Sequence, residues 1–180
     1  MAVFHAPDDA LPIFRTLFQQ GVGITIQSGT SLEDLLCCQW EIDRDYVMSR
    51  ISTLFLDSKP VDDLPAAMVH DGAILALSGA MPGLIGATMR RGGVLASFRN
   101  GITYCETSGD DEGGRGRITL KLFNLLIDEL GPQFLARGIW VPRAQLAELF
   151  PEHPDIANVT DNEIKVYMGD RSSEPTSDSL

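Results

Sequence analysis

Between Gly79 and Asn100 the only ionisable side chains are Arg90, Arg91 and Arg99, set among glycines at 79, 83, 86, 92 and 93. Glycine-rich backbone can turn several N–H groups into one concavity, and a guanidinium adds a planar fork of donors. That combination suits a carboxylate or a phosphate, brought by an acidic partner protein or by an anionic small molecule. The stretch has no Gly-Lys-Ser/Thr and no G-x-G-x-x-G, so it is not a phosphate loop of known spacing. Gly79, Gly83, Arg90, Arg91 and Arg99 are the candidate anion- or partner-binding residues. The competing reading is a hairpin that merely carries solvated arginines.

Other residues with chemical potential are sparse. Cys37 and Cys38 are adjacent, and neighbours on a helix point about 100° apart, so they cannot supply the two pairs that a zinc site wants. There is no C-x-x-C, and each of these thiols, with Cys105, reads as a small hydrophobe. Three scattered cysteines make no disulfide framework, which suggests a reducing, cytoplasmic setting. His5, His70 and His153 have no partner at ligand or triad spacing; His70, before an Asp-Gly pair, reads as solvated, and His153 as part of a loop. A Cys/His pair that meets only in space stays open at this level. Asp110-Asp111-Glu112 reads as an exposed acidic loop tip rather than a grip for a hard cation. Trp40 and Trp140 read as core or interface anchors. No metal or cofactor is expected, and the balance leans away from an enzyme.

Composition sets the frame. The chain has 180 residues, 44% hydrophobic and 22% charged, enough for one domain with a real core. Its net charge of −11 repels phosphate backbones, so nucleic acid is not an expected partner. The N-terminus lacks a basic region followed by an apolar run, so no secretory signal is read there. The longest uncharged run, Gly72 to Met89, is interrupted by Pro82 and several glycines, which argues against a membrane span.

The elements that must position these residues follow from periodicity. LPIFRTLF (11–18) fits a helix face and also splits by twos. The β-branched run GVGITIQS (21–28) after Gln19-Gln20-Gly21 tips the reading towards a hairpin of two strands. Thr30-Ser31-Leu32-Glu33 has capping-box spacing with Thr30 as the cap, and Leu32, Leu35, Leu36 and Trp40 then recur as a helix from Ser31 to about Trp40. Residues 41–50 are a polar connection with room for one more helical turn. Ile51–Leu56 is a strand, Asp57-Ser58-Lys59-Pro60 a turn, and Asp71-Gly72 a second turn before the strand AILALS. Beyond Gly79 the chain reads as loop, and then as a hairpin over 94–106 turning at Asn100-Gly101. Residues 107–116 are a polar, glycine-rich linker or long hairpin tip. After it, Phe123, Leu126, Ile127 and Leu130 form a helix face stopped by Gly131-Pro132. Short helices then open at Pro132 and Pro142, and Ile164–Met168 is a final strand. Residues 169–180 read as a disordered tail.

The order hairpin, helix, strand, turn, Asp-Gly turn, strand resembles the β-grasp fold of ubiquitin-like proteins. Within that group it is most similar to the sulfur-carrier proteins of thiamin and molybdopterin synthesis. The likeness rests on SGTSLEDLL (28–36), LFLDSKPVDD (54–63) and VHDGAILALSGAMPG (69–83), and covers roughly residues 11–86. It implies an α+β fold with a β-grasp-like mixed sheet packed on one helix, placed over 11–106; by their own composition and spacing the following residues read as a linker over 107–116 and a C-terminal helical extension over 117–168 packed on the sheet. The carriers end in a diglycine, whereas here Gly92-Gly93 and Gly113-Gly114 are internal, so carrier chemistry would need cleavage; paired glycines also serve turns. The function expected first is a non-enzymatic protein-binding or assembly module. It would present the 79–100 stretch or a sheet face to another protein. An enzyme or small-molecule binder holding an anionic ligand there is the alternative, and a released sulfur carrier the third.

Overall fold

Strict alternation builds the centre of the molecule. In Arg115–Phe123, Ile118, Leu120 and Leu122 are buried while the residues between them face away, which is the signature of a half-covered strand. The computed structural model describes residues 2–79, 83–94, 104 and 113–169.

In chain order the strands are β1 (Val3–Ala6), β2 (Val22–Gln27), β3 (Thr30–Ser31), β4 (Thr53–Leu56), β5 (Lys59–Pro60), β6 (Met68–Val69), β7 (Ile74–Ser78), β8 (Arg115–Phe123), β9 (Ile139–Pro142) and β10 (Glu163–Met168). The helices are α1 (Leu11–Gln20), α2 (Leu32–Asp34), α3 (Arg44–Ser49), α4 (Gly83–Met89), α5 (Leu126–Arg137), α6 (Arg143–Leu149) and α7 (Pro154–Ala157). The chain continues past α2 as a π-helical turn over Leu35–Gln39. This is a mixed α+β fold. Eight strands form one sheet in the order β1-β10-β9-β2-β8-β7-β4-β5, and β3 pairs with β6 in a separate ribbon. β1–β10 and β8–β7 are parallel; the other neighbours run antiparallel. Helices α1 and α5 pack against β8, and α5 and α6 against β10. The core between them is filled by Phe14, Phe18, Phe134 and Phe150 with the inward leucines, isoleucines and valines of the strands.

Several elements differ from the sequence expectation, each for a physical reason. Residues 11–18 lie in helix α1, not a hairpin strand. Helical spacing puts Phe14, Leu17 and Phe18 together on one buried face, whereas alternation by twos would have parted Leu17 from the two phenylalanines. The partner of β2 is therefore β8, nearly a hundred residues on, with Ile24 opposite Ile118. The strands expected from 51–78 do pair, Leu54 opposite Leu77, but β8 lies between them and β2. The helix expected from Ser31 is present and Leu35 is fully buried, yet the cap is Ser31, whose hydroxyl accepts from Asp34 N–H at 3.1 Å. Thr30 instead donates to the Gln27 carbonyl and accepts from Gln39.

The stretch beyond Gly79 contains helix α4 rather than loop throughout. The segment 117–168 is not a helical unit laid on the sheet; it supplies β9, β10 and most of β8 to the sheet itself. Helix α5 runs straight through Gly131-Pro132 to Gly138. Gly131 is there because α1 passes close: a Cβ would meet Leu11 Cδ1 at 2.9 Å and the Phe18 ring at 3.3 Å. The hairpin expected over 94–106, the acidic tip at 110–112 and the tail from 170 onwards lie outside the described residues, Val94 and Tyr104 excepted.

Candidate functional site

Thr53 opens β4, and strand alternation turns it away from the side where Leu54 and Leu56 are buried. Helix α4 comes down beside it. Ser52, Thr53, Gly86, Arg90 and Arg91 are among the residues lining a cleft of about 640 Å³ between β4 and the end of α4.

The chain leaving α4 is fixed by its own backbone. Arg91 N–H donates to the Ser52 carbonyl at 2.8 Å, and Gly92 N–H to Asp62 Oδ1 at 3.3 Å. Gly92 has φ of +60°, and Gly93 N–H donates to the Arg90 carbonyl at 3.2 Å. A Cβ on Gly93 would stand 3.1 Å from that carbonyl oxygen and 3.3 Å from that of Ala87. Gly92 thus supplies the left-handed backbone and Gly93 the close approach to the last carbonyls with which the paired glycines close the helix end.

The Arg91 side chain reaches back over α3. Nη2 donates to the Val47 carbonyl at 2.8 Å and lies 3.7 Å from Met48 Sδ. Burial pulls this guanidinium below the usual arginine range, and Asp62 acts in the opposite sense. Its Nη1 is buried with no hydrogen-bond partner. Thr53 Oγ1 is in the same condition, on a residue only 1% exposed. Two residues of one cleft therefore each hold a buried donor with no partner among the described residues, whereas buried polar groups are normally paired.

Of the residues singled out by sequence, Gly83, Arg90 and Arg91 line this cleft. Gly83 begins α4 with φ of +82°. Gly79 is buried just after β7, with an added Cβ meeting only the Arg50 carbonyl at 3.7 Å. Arg99 lies outside the described residues, as does Cys105. Thr53 was not singled out. Its one signal is a hydroxyl on the side of a strand opposite Leu54 and Leu56, which means nothing until α4 is seen to share a cleft with it.

The other candidates resolve into structural roles. Cys37 is half-buried and Cys38 exposed on the π-helical turn. Burial raises the Cys37 thiol, and the hydrogen bond to Asp34 raises that of Cys38, so neither is activated as a nucleophile. The histidines have partners that spacing did not reveal. His70 Nε2 is 2.8 Å from Asp57 Oδ2, and its Nδ1 is 2.8 Å from the Asp71 carbonyl oxygen. With a contact on each ring nitrogen, this pair braces the two turns instead of offering a base. His153 packs its ring edge-on against Phe4, and His5 stacks on Tyr167. Trp40 is buried edge-to-face on Phe134, and Trp140 donates through Nε1 to Thr25 Oγ1 at 3.1 Å. Among the described residues no cluster of three or more His, Cys, Asp or Glu is placed to hold a metal ion. Among them, too, no helix is long and apolar enough to cross a membrane.

Comparison with family models, with curated proteins and with solved structures finds no match for this chain.

Proposed function

We propose that this protein is a non-enzymatic binding module that receives an anionic group, a carboxylate or phosphate, in the cleft between β4 and α4. One observation carries the reading: Thr53 and Arg91 line the same cleft, and each holds a buried polar atom, Oγ1 and Nη1, without a hydrogen-bond partner among the described residues. A carboxylate or phosphate brings at least two acceptor oxygens to these two donor residues, and a guanidinium already stripped of water gains more from such a partner than an exposed one. Arg90, exposed at the rim, adds a second positive charge. Ser52 and Thr53 bring hydroxyls to the cleft, but no histidine, cysteine or carboxylate is among its described lining residues to activate them, which is why binding is put before catalysis.

The same chemistry could arrive on an acidic partner protein or on a free metabolite. A thermal-shift measurement on the full chain separates them, with inorganic phosphate and citrate in one arm and a peptide ending in a free carboxylate in the other. Ligand at about a hundred times its Kd should add about 2.7 kcal/mol of stability. The rise should vanish in Arg91→Lys and Thr53→Val. No rise with any probe at millimolar concentration would remove the proposal.

The β-grasp likeness is supported by the Ser31 cap, the Asp57-Ser58 turn and the Asp71-Gly72 turn; the strand order, with β8 between β2 and β7, lends it nothing further. A sulfur-carrier role would need the chain cut after Gly93. Since Gly92 and Gly93 close a helix end, the binding role is preferred.

A further inference from the structure

The sheet face turned away from α1, α5 and α6 carries a charge opposite to that of the chain. β8 sends Arg115, Arg117 and Lys121 to it, while Ile118, Leu120 and Leu122 face the core. β10 adds Lys165 and Tyr167, and β9 adds Trp140, again alternating with buried residues. Register brings them together: Lys165 is opposite Trp140, and Trp140 is opposite Gly23 on β2. Gly23 has no side chain because none fits; a Cβ would meet Trp140 Cβ at 2.9 Å and Arg117 Cδ at 3.1 Å. Over that gap the Arg117 guanidinium lies 4.1 Å from the Trp140 ring, and Lys165 Nζ lies 5.0 Å from the Tyr167 ring.

The chain has 25 acidic and 14 basic side chains, so a cation on its surface readily finds a carboxylate. Arg15, Arg44, Arg50 and Arg137 each do. On this face Glu163 pairs with Arg117, whereas Arg115, Lys121 and Lys165 make no ion pair among the described residues. Three cations without an ion-pair partner among the described residues, on one side of a strongly acidic protein, form a complementary surface for carboxylates.

We infer that this face docks an acidic, extended segment of another protein, whose carboxylates meet Arg115, Lys121 and Lys165. From β10 to β8 is three strand spacings, roughly 14 Å, which about five extended residues can cross with carboxylates on alternate positions. A polypeptide suits the face better than single-stranded nucleic acid. Bases stack on bare aromatic rings, and here Trp140 and Tyr167 are already overlaid by their own cations and by His5. Thr53 shares this face of the sheet, two strands over from β8, but Arg115, Lys121 and Lys165 do not line the β4–α4 cleft, and neither reading depends on the other.

Fluorescence anisotropy on the full chain tests the inference, with a labelled peptide of about ten residues bearing glutamate at alternate positions. Its glutamine counterpart and an oligothymidine of similar length serve as comparison probes. The glutamate peptide should bind, bind more weakly as salt is raised, and lose at least about tenfold in affinity to the Arg115→Glu/Lys121→Glu/Lys165→Glu variant. Arg115 is exposed, Lys121 and Lys165 are half-buried, and none of them makes an ion pair among the described residues, so the variant should keep the parent's far-ultraviolet circular dichroism spectrum. Thr53→Val, which disables the cleft, should leave peptide affinity unchanged. Equal binding of the glutamine peptide, undiminished binding to the triple variant, no binding at millimolar peptide, or preference for the oligonucleotide would each overturn the inference.

Discussion

Arg137 on α5 donates through Nη2 to the carbonyl of Trp40 at 3.0 Å. Its Nη1 donates to the Gln39 carbonyl at 2.9 Å, and the same guanidinium pairs with Glu41. Gln39 and Trp40 end the π-helical turn, where carbonyls have no partner further along the helix. Arg137, with Gln133 Nε2 donating to the same Trp40 carbonyl, thus closes that turn and ties it to α5. Replacing Arg137 with alanine should cost about 1–3 kcal/mol, read from the urea midpoint. Lysine should restore only part of it, since a single ammonium cannot fork to two carbonyls. Full restoration by lysine would mean that charge, not geometry, holds the turn.

A second link between the same regions depends on pH. Glu129 on α5 accepts from Arg50, just past the end of α3, and from the hydroxyl of Tyr46 within it. The Arg50 contact, then the Tyr46 hydrogen bond, hold the Glu129 carboxyl below its usual value of 4.5. Burial, then the bond to Glu129, push the Tyr46 hydroxyl up, so it remains a donor. A carboxylate depressed in the native state binds fewer protons there than in the unfolded chain. Its contribution is therefore complete above 4.5 and is lost as the pH falls below that value through the native one. The gap in Tm between the parent and Glu129→Gln should be widest near neutrality and shrink in acid. A gap constant between neutral pH and about pH 3 would show that the carboxylate's charge is not the stabilising feature.

Gly138 ends α5 in a conformation that an L side chain resists, with φ of +86°. The space is closed as well: a Cβ would stand 2.6 Å from Tyr167 Cε1 and 2.8 Å from Lys165 Cε. Both strain and overpacking act against alanine here, so Gly138→Ala should lower stability by about 1–3 kcal/mol. The displacement should also disturb the Tyr167 ring, which near-ultraviolet circular dichroism would register. An unchanged spectrum with unchanged Tm would count against this close approach.

What could be read from sequence was local. The Ser31 helix start, the Asp57-Ser58 and Asp71-Gly72 turns, and β4, β7 and β10 each announce themselves within a few residues. What could not be read depends on partners far along the chain. Leu11–Phe18 is too short for periodicity to decide, and only the buried face shared by Phe14 and Phe18 makes it a helix. Gly131 looks like a stop until α1 is seen pressed against it. β8 alternates plainly, yet its place between β2 and β7 joins residues more than forty positions apart on one side and about ninety on the other. At the site, Arg90 and Arg91 stand out because the surrounding stretch is otherwise uncharged. Thr53 does not, because its meaning comes from α4 sharing a cleft with it.

Thr53 also gives the sharpest test of the cleft. Its hydroxyl is buried without a partner, so in the free protein it carries a desolvation cost with no hydrogen bond in return. Valine has nearly the same shape and removes the hydroxyl. Thr53→Val should leave the free protein as stable or raise it by up to about 1–3 kcal/mol. The same change should abolish the thermal shift that phosphate or citrate produces in the parent. Most substitutions of a fully buried residue destabilise, so a gain in stability joined to a loss of anion response would be hard to explain by damage to the fold. A destabilised variant that still responds to anions would place the Thr53 hydroxyl in the packing of β4 and α4, and leave Arg91 to hold the ligand without it.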